Sequence, residues 1–189
     1  DLFSLLFPET DDALNDDESF LAFVRAALAN TDQRVRSEKS VTPMFLLGVF
    51  LWAPVRRHAD QLRSSKKMSV VQSLTLAAYE ISGLQQSRVS IPRRFASAMR
   101  EMLAMQPRFE VNRGKRALNF LEHRRFRAAY DFMMLRARCG DFDEGLAEFW
   151  TSVQTQTAEE RCKSFQLQQG LRQNKRGRLR RRRRRGEQN

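Results

Sequence analysis

Residues 113–134, RGKRALNFLEHRRFRAAYDFMM, combine apolar residues at helical spacing with a dense set of basic side chains. Phe126, Ala129, Tyr130 and Met133 occupy the i, i+3, i+4 and i+7 positions of one helical face. Seven Arg, Lys or His side chains lie between the apolar residues. The stretch therefore predicts two packed helices whose outer surface is positively charged.

Helical periodicity continues on both sides of this stretch, and no segment shows the alternation of apolar and polar residues that is typical of a half-buried strand. We therefore predict an all-α fold, a helical body of about seven or eight helices. In chain order, the expected helices are one around residues 20–28, one over about 43–62 after Thr42 and Pro43, one from Ser69 to a stop at Gly83, one opened by Ser90 and Pro92, one opened by Asn112, one over about 124–138, one from Asp141 with Glu144 in its capping box, and a short one at Thr157.

The composition changes along the chain and predicts four segments. Residues 1–18 form an acidic lead, interpreted as a solvated segment, 19–155 a helical body, 156–171 a short helix with a linker, and 172–189 an arginine-rich tail. We predict that the tail is disordered when free, because its six consecutive arginines repel one another and offer nothing to bury. Since the chain does not begin with Met, we expect it to be a piece of a longer protein.

The net charge of +12 predicts a polyanionic partner: RNA, DNA or an anionic membrane surface. The positive charge is concentrated in two regions. Residues 88–127 hold eleven basic and three acidic side chains, and residues 172–189 hold ten basic and one acidic. The longest apolar run covers only the twelve residues 44–55. A membrane-spanning helix needs about 20, so we expect this run to form a buried core helix.

The basic side chains of both regions are the candidate contacts for phosphate groups. At about 100° per residue, Arg93 and Arg100 lie opposite the apolar face of the fourth helix. We expect Arg127 to pair with Asp131, four residues further along the same helix. The full candidate set is Arg93, Arg94, Arg100, Arg113, Lys115, Arg116, Arg124, Arg125, Arg127, Arg172, Lys175, Arg176, Arg178, Arg180, Arg181, Arg182, Arg183, Arg184 and Arg185.

Four aromatic side chains are candidates for stacking on nucleic-acid bases: Tyr79, Tyr130, Phe120 and Phe132. Tyr130 lies on a predicted core face. Of the four, only Phe120 and Phe132 fall outside the core faces that the periodicity predicts.

The acidic, cysteine and histidine residues form no recognised catalytic or metal-binding pattern. Asp141 and Asp143 have the D-x-D spacing of nucleotidyltransferases, but their position after Gly140 explains them as a helix cap and a first-turn acid. Cys139 and Cys162 form no CxxC pair, so free thiols are expected rather than a zinc site. We predict no catalytic residue, metal or cofactor in this segment.

Residues 114–137, GKRALNFLEHRRFRAAYDFMMLRA, closely resemble the C-terminal half of bacterial poly(A) polymerases, the polynucleotide adenylyltransferases of the class II nucleotidyltransferase superfamily. Further blocks are similar and follow in the same order, namely LFPET at 6–10, NTDQR at 30–34, VTPMFLLGVFLWAP at 41–54 and SIPRRF at 90–95. The arginine-rich end resembles the basic extension of that family. Arg124 departs from the pattern, since family members often have Pro after the histidine.

The resemblance implies that LFPET marks the junction between a neck and a helical body. It also implies that the body and its extension guide RNA to a catalytic head, which carries a Gly-Ser motif and metal-binding aspartates. In this family the head uses ATP and Mg²⁺ to add AMP units to RNA 3′ ends, which promotes RNA decay in the bacterial cytoplasm. No part of this chain matches the head. The implied role is RNA binding without activity in this segment alone, with single-stranded RNA 3′ ends and RNA-decay proteins as the expected partners.

Two alternatives remain at this point. One is the helical body of a CCA-adding tRNA nucleotidyltransferase, which belongs to the same superfamily. The other is a stand-alone basic binding module, such as a nucleic-acid chaperone or an adaptor for anionic membranes. The long arginine tail and the FRAAYDF block, residues 126–132, favour poly(A) polymerase over both.

Overall fold

A computed structural model describes residues 2–167, and over that range the chain is helical without a strand. The helices are α1 (Leu2–Leu6), α2 (Pro8–Asp16), α3 (Glu18–Arg36), α4 (Pro43–Lys66), α5 (Val70–Gln86), α6 (Arg93–Ala104), a 3-10 helix (Gln106–Glu110), α7 (Gly114–Phe120), α8 (Phe126–Arg138), α9 (Glu144–Thr155) and α10 (Ala158–Ser164). The predicted all-α fold is confirmed. The arginine-rich tail, 172–189, lies outside the described residues, so its predicted disorder stays a prediction.

The acidic lead is helical and packed rather than solvated, which corrects the sequence interpretation. Phe3 and Phe7 pack with Phe50 of α4, with ring centroids 5.4–5.7 Å apart. Thr10 and Ala13 of α2 are buried. The lead therefore contributes two helices to the fold because Phe3, Phe7 and Ala13 pack inward, while Leu2, Leu5 and several of its carboxylates remain exposed.

Helix α4 is the central element, and α2, α3, α5 and α6 all pack against it. Its residue Gly48 permits a close approach of α6, because a Cβ at this position would lie 2.5 Å from Cε of the buried Met102. Pro54 lies inside α4 and lacks the N–H that would bind the carbonyl of Phe50. The Oγ1 of Thr10 donates to that carbonyl at 2.9 Å instead, so α2 satisfies the group that proline leaves unpaired.

Several predicted helix ends are confirmed, and others are wrong. Ser69 forms a capping box with Gln72, and Thr157 forms one with Glu160. Gly83 does not end α5, which continues to Gln86. A lone glycine costs a helix only about 1 kcal/mol, less than the packing of α5 on α4 and α6 supplies.

Asp141 is not the cap of α9, and Glu144 is the first residue of that helix rather than its partner in a capping box. The cap of α7 is likewise Arg113 and not Asn112. Asp143 is the N-cap of α9, and its Oδ1 accepts from the backbone N–H of Leu146 at 2.7 Å. Asp141 instead accepts from Nε of Arg136 at 2.8 Å and from the ring N–H of Trp52. Its pairing with the buried Arg136 explains why the helix begins later than the sequence predicts.

Phe120 and Phe132 are core residues, which corrects their assignment as exposed stacking candidates. Phe132 is 0% exposed, and its ring meets those of Phe23, Phe45 and Trp52 edge-on. Phe120 is 4% exposed among a second aromatic group. The other members of that group are Phe109, Phe126, Trp150 and Phe165. A second side of each helix is covered by neighbours from distant parts of the chain, which helical periodicity alone does not reveal.

None of the helices between residues 2 and 167 is both long and apolar enough to cross a membrane.

Candidate nucleic-acid interface

A groove of about 700 Å³ runs between the C-terminal half of α3, the connection 37–42, the start of α4 and one face of α8. We call it the basic groove. The apolar residues of its floor include Met44, Phe45, Tyr130 and Leu135. Its charged lining residues are Arg34, Lys39, Arg124, Arg125, Arg127, Arg138 and Asp131. Six cations and one carboxylate therefore surround an apolar floor, an arrangement that suits an elongated anion with apolar parts.

Local hydrogen bonds shape the rim of the basic groove. The guanidinium of Arg34 donates from Nε and Nη2 to the carbonyl of Ser40, at 3.3 and 3.0 Å, and so folds the connection 37–42 back toward α3. Arg127 pairs with Asp131 at 3.0 Å, as predicted, and its side chain stays 76% exposed. Asp131 thus neutralises only part of the rim.

Glu101 of α6 holds the start of α8 through three basic neighbours, a set that we call the Glu101 cluster. Its carboxylate lies 3.1 Å from Arg124, 3.4 Å from Arg125 and 3.7 Å from His123. Partial burial alone would raise the pKa of Glu101, but hydrogen bonds from both arginines and the charges of Arg124 and His123 outweigh it and hold the pKa below its usual value. Arg124 and Arg125 use only part of their donors on Glu101, so the remaining N–H groups are free to bind an anion.

The basic residues of α6 divide between two sides of the helix. Arg94 precedes Glu101 by seven residues, so it lies on the same side of α6 about 10 Å away. Arg93 and Arg100 share another side, and Arg100 donates to Oγ of Ser82 on α5 at 3.1 Å. Arg94 therefore extends the charge of the Glu101 cluster along α6, whereas Arg93 and Arg100 face away from it.

Arg113, Lys115 and Arg116 are exposed at the start of α7. The backbone of Gly114 has a φ of +83° and donates to the carbonyl of Phe165 at 2.7 Å. This contact places the end of the described chain beside the three basic residues of α7.

The basic groove brings together three of the predicted residues, Arg124, Arg125 and Arg127, and adds Arg34, Lys39 and Arg138. Sequence reasoning omitted the added three from the candidate set. Arg34 ends the NTDQR block, and Arg138 falls on the same helical side as Arg127, so both carried a signal. Lys39 lies in a connection without periodicity, and only the fold brings it near α8. The predicted tail contacts lie outside the described residues.

Arg136 is basic but is committed to the core. It is 8% exposed, donates to Asp141 and Gln106, and stacks 4.7 Å from the ring centroid of Trp52. Burial lowers the pKa of its guanidinium, and the charge of Asp141 opposes that effect. Arg56 also pairs with Asp141. The carboxylate of Asp141 is therefore engaged by two arginines, Arg56 and Arg136.

Within residues 2–167 there is no group of three or more His, Cys, Asp or Glu side chains that could hold a metal ion. Asp141 is engaged by arginines and Asp143 caps α9. The D-x-D pair therefore does not fit a Mg²⁺ site. Cys139 and Cys162 form no disulfide with each other.

Residues 66–187 match the family described as "Polymerase A arginine-rich C-terminus". The chain is 30% identical over 163 residues to a poly(A) polymerase I of Salmonella typhi, covering 84% of this chain and 35% of that protein. It is 29% identical over 173 residues to a poly(A) polymerase I of Haemophilus influenzae, covering 90% of this chain and 38% of that protein.

The chain thus spans roughly a third of the length of the curated relatives that it matches. The family match covers more than half of the chain and includes the stretch 113–134 together with the basic end. The resemblance inferred from the sequence blocks is confirmed. The chain belongs to the family of bacterial poly(A) polymerases and corresponds to their arginine-rich C-terminal part.

Proposed function

We propose that this chain is the RNA-binding part of a polynucleotide adenylyltransferase and that the basic groove is its principal contact within the folded body. The observation that carries the proposal is the lining of the groove, with six cations and one carboxylate around an apolar floor. Cationic rims bind phosphates without reading sequence. An apolar floor can accept unpaired bases, so we expect single-stranded RNA as the ligand.

The remaining basic residues extend this surface. Arg94 continues the charge along α6, and Arg113, Lys115 and Arg116 lie where the described chain ends. In this proposal the tail residues 172–185 add further phosphate contacts. A strand bound along these residues is held through its backbone, which suits an enzyme that must accept many different 3′ ends.

Catalysis belongs, in this proposal, to the part of the longer protein that this chain does not span. ATP and Mg²⁺ would bind there, since the acidic residues described here do not fit a metal site. The whole enzyme would add AMP to RNA 3′ ends in the bacterial cytoplasm and act with RNA-decay proteins. This chain would supply RNA capture and would transfer no AMP by itself.

The basic groove can be tested by removing two of its exposed charges. The side chains of Arg124 and Arg127 are 75% and 76% exposed. The double variant Arg124→Gln/Arg127→Gln should weaken binding of a single-stranded oligonucleotide. Loss of two phosphate contacts should flatten the dependence of log K on log salt by about 1.4 units. Fluorescence anisotropy at several salt concentrations measures this slope.

The matched control is Arg63→Gln/Lys66→Gln, which removes the same charge from the far end of α4. At 1.5 Å per residue these positions lie roughly 30 Å along the helix from the groove. If both double variants lose the same affinity and slope, binding reflects net charge alone and the groove is not the contact. Melting followed by circular dichroism verifies that both variants are folded.

A further inference from the structure

Tyr79 of α5 carries an exposed aromatic ring, and a hydrogen-bonded arginine lies against it. The residue is 64% exposed, on a helix that packs on α4 and α6 through its other side. The guanidinium of Arg100 lies 5.2 Å from its ring centroid. Arg100 in turn donates to Oγ of the buried Ser82, whose hydroxyl donates to the carbonyl of Tyr79. A fixed cation thus lies against the ring, while most of the residue is open to solvent.

The surface beside the open ring is left free by Gly83. A Cβ built at this position would meet no atom within 4 Å. Helical side chains lean toward the N-terminus, so a side chain at 83 would lie over the turn that carries Tyr79. Glycine leaves that space empty, and a planar group can enter it and lie against the ring.

The charge around Tyr79 favours a nucleic-acid ligand. Arg93 lies two turns before Arg100 on the same side of α6. The neighbouring acid, Glu80, is engaged by His58 of α4, whose Nε2 lies 2.5 Å from Oε2 of Glu80. An aromatic ring flanked by arginines can stack on a base while the cations bind the adjacent phosphates. Single exposed aromatic residues are common on proteins, but the fixed Arg100, the empty space and the nearby Arg93 distinguish this one.

We propose that Tyr79, with Arg100 behind it, is a base-stacking subsite for single-stranded RNA, separate from the basic groove. This inference rests on the proposed RNA-binding function and adds to it a contact with bases. Because every base has an aromatic face, the subsite accepts any sequence but requires an unpaired base.

The test compares a single-stranded RNA with a strand of the same length and charge in which internal bases are absent. Tyr79→Leu should weaken binding of the normal strand about fivefold, the lower range for loss of one stacked base. It should leave binding of the abasic strand unchanged. Tyr79→Phe keeps the ring and should bind both strands like the original chain.

A second variant leaves Tyr79 in place. Gly83→Leu fills the space beside the ring and should weaken binding of the normal strand in the same way, without changing charge. Equal losses on both strands, or no loss in Tyr79→Leu and Gly83→Leu, would overturn the stacking subsite while RNA binding at the groove stands. If the unmodified chain binds neither strand, the proposed function fails as well.

Discussion

Glu101 of α6 contacts and positions the basic residues at the start of α8. It is 26% exposed in its side chain and lies within 3.7 Å of His123, Arg124 and Arg125. The carboxylate of Glu101 lowers the net positive charge of this surface by one. It also fixes the position of two guanidinium groups, which keep N–H donors that Glu101 does not use. The cluster thus links the stability of the fold to the geometry of its basic rim.

The lowered pKa of Glu101 predicts how this cluster responds to acid. A carboxyl group whose pKa is lower in the folded state stabilises the fold above its unfolded pKa, and the contribution is lost as pH falls through the folded value. Glu101→Gln should therefore lower the free energy of unfolding at pH 7 by up to about 1 kcal/mol, a modest effect because solvent screens the exposed Arg124. The difference from the original chain should shrink toward pH 3.

Urea denaturation at pH 7, 5 and 3 measures this difference. The control is Glu122→Gln, an exposed glutamate just before the cluster, which should have a small effect at every pH. A Glu101→Gln effect of constant size from pH 7 to pH 3 would show that packing of the side chain, not its charge, stabilises the contact.

At the residue scale, sequence reasoning placed the basic side chains better than the aromatic ones. Arg127 and Asp131 pair as predicted because both belong to one helix and their spacing fixes the contact. Phe120 and Phe132 are buried by Phe109 and Trp52, which come from other elements. Of the four aromatic residues considered for base stacking, Tyr79 is the exposed one. Burial of a helix's second side depends on tertiary neighbours, which a single-sequence pattern does not contain.

At the element scale, the junction of α2 and α4 shows how one helix compensates a defect in another. Pro54 removes a backbone donor from the middle of α4, and Thr10 of α2 donates its hydroxyl to the unpaired carbonyl of Phe50 at 2.9 Å. Thr10 is 1% exposed, so water cannot easily replace it. The contact fixes the acidic lead against the central helix.

This junction predicts an energetic coupling between Thr10 and Pro54. Thr10→Val keeps the shape of the side chain but leaves the buried carbonyl without a donor, which should cost about 1–3 kcal/mol. In a Pro54→Ala background the alanine N–H can bind the carbonyl of Phe50, so Thr10→Val should cost clearly less. Urea denaturation of the two single variants and the double variant yields the coupling energy.

An additive double variant would contradict this account, because the hydroxyl and the alanine N–H would then not serve the same carbonyl. Ser4→Ala, in the neighbouring α1, is a control that removes a hydroxyl away from Pro54. It should be additive with Pro54→Ala.

Two helix starts, at Ser69 and Thr157, were more predictable than the end of α5 and the packing of the lead. Ser69 and Thr157 cap their helices through side chains three residues apart in sequence, so the signal is local. Gly83 has an equally local stop signal, which tertiary packing of α5 overrides. The acidic composition of the lead predicted a solvated segment. Thr10 and Ala13 are buried only because α2 packs on α4, and the sequence pattern does not contain that contact.

At the scale of the whole molecule, positive charge lies both on the folded body and in the sequence that follows it. The backbone contact between Gly114 and Phe165 brings the end of the described chain to α7. Arg113, Lys115 and Arg116 therefore lie near the place where the chain continues toward residues 172–185, which hold ten basic side chains. A strand bound at α7 therefore lies close to the end of the described chain.

Deletion of residues 172–189 tests the share of the tail in RNA capture. Each phosphate neutralised on a single strand contributes about −0.7 to the slope of log K against log salt. If about half of the ten basic groups bind at once, the deletion should flatten the slope by roughly three to four units. The loss should be similar for A-rich and mixed RNA, because phosphate contacts carry little sequence information. Titration of one oligonucleotide with both chains at several salt concentrations measures this. Identical slopes would mean that the tail does not contact RNA and that the folded body alone binds it.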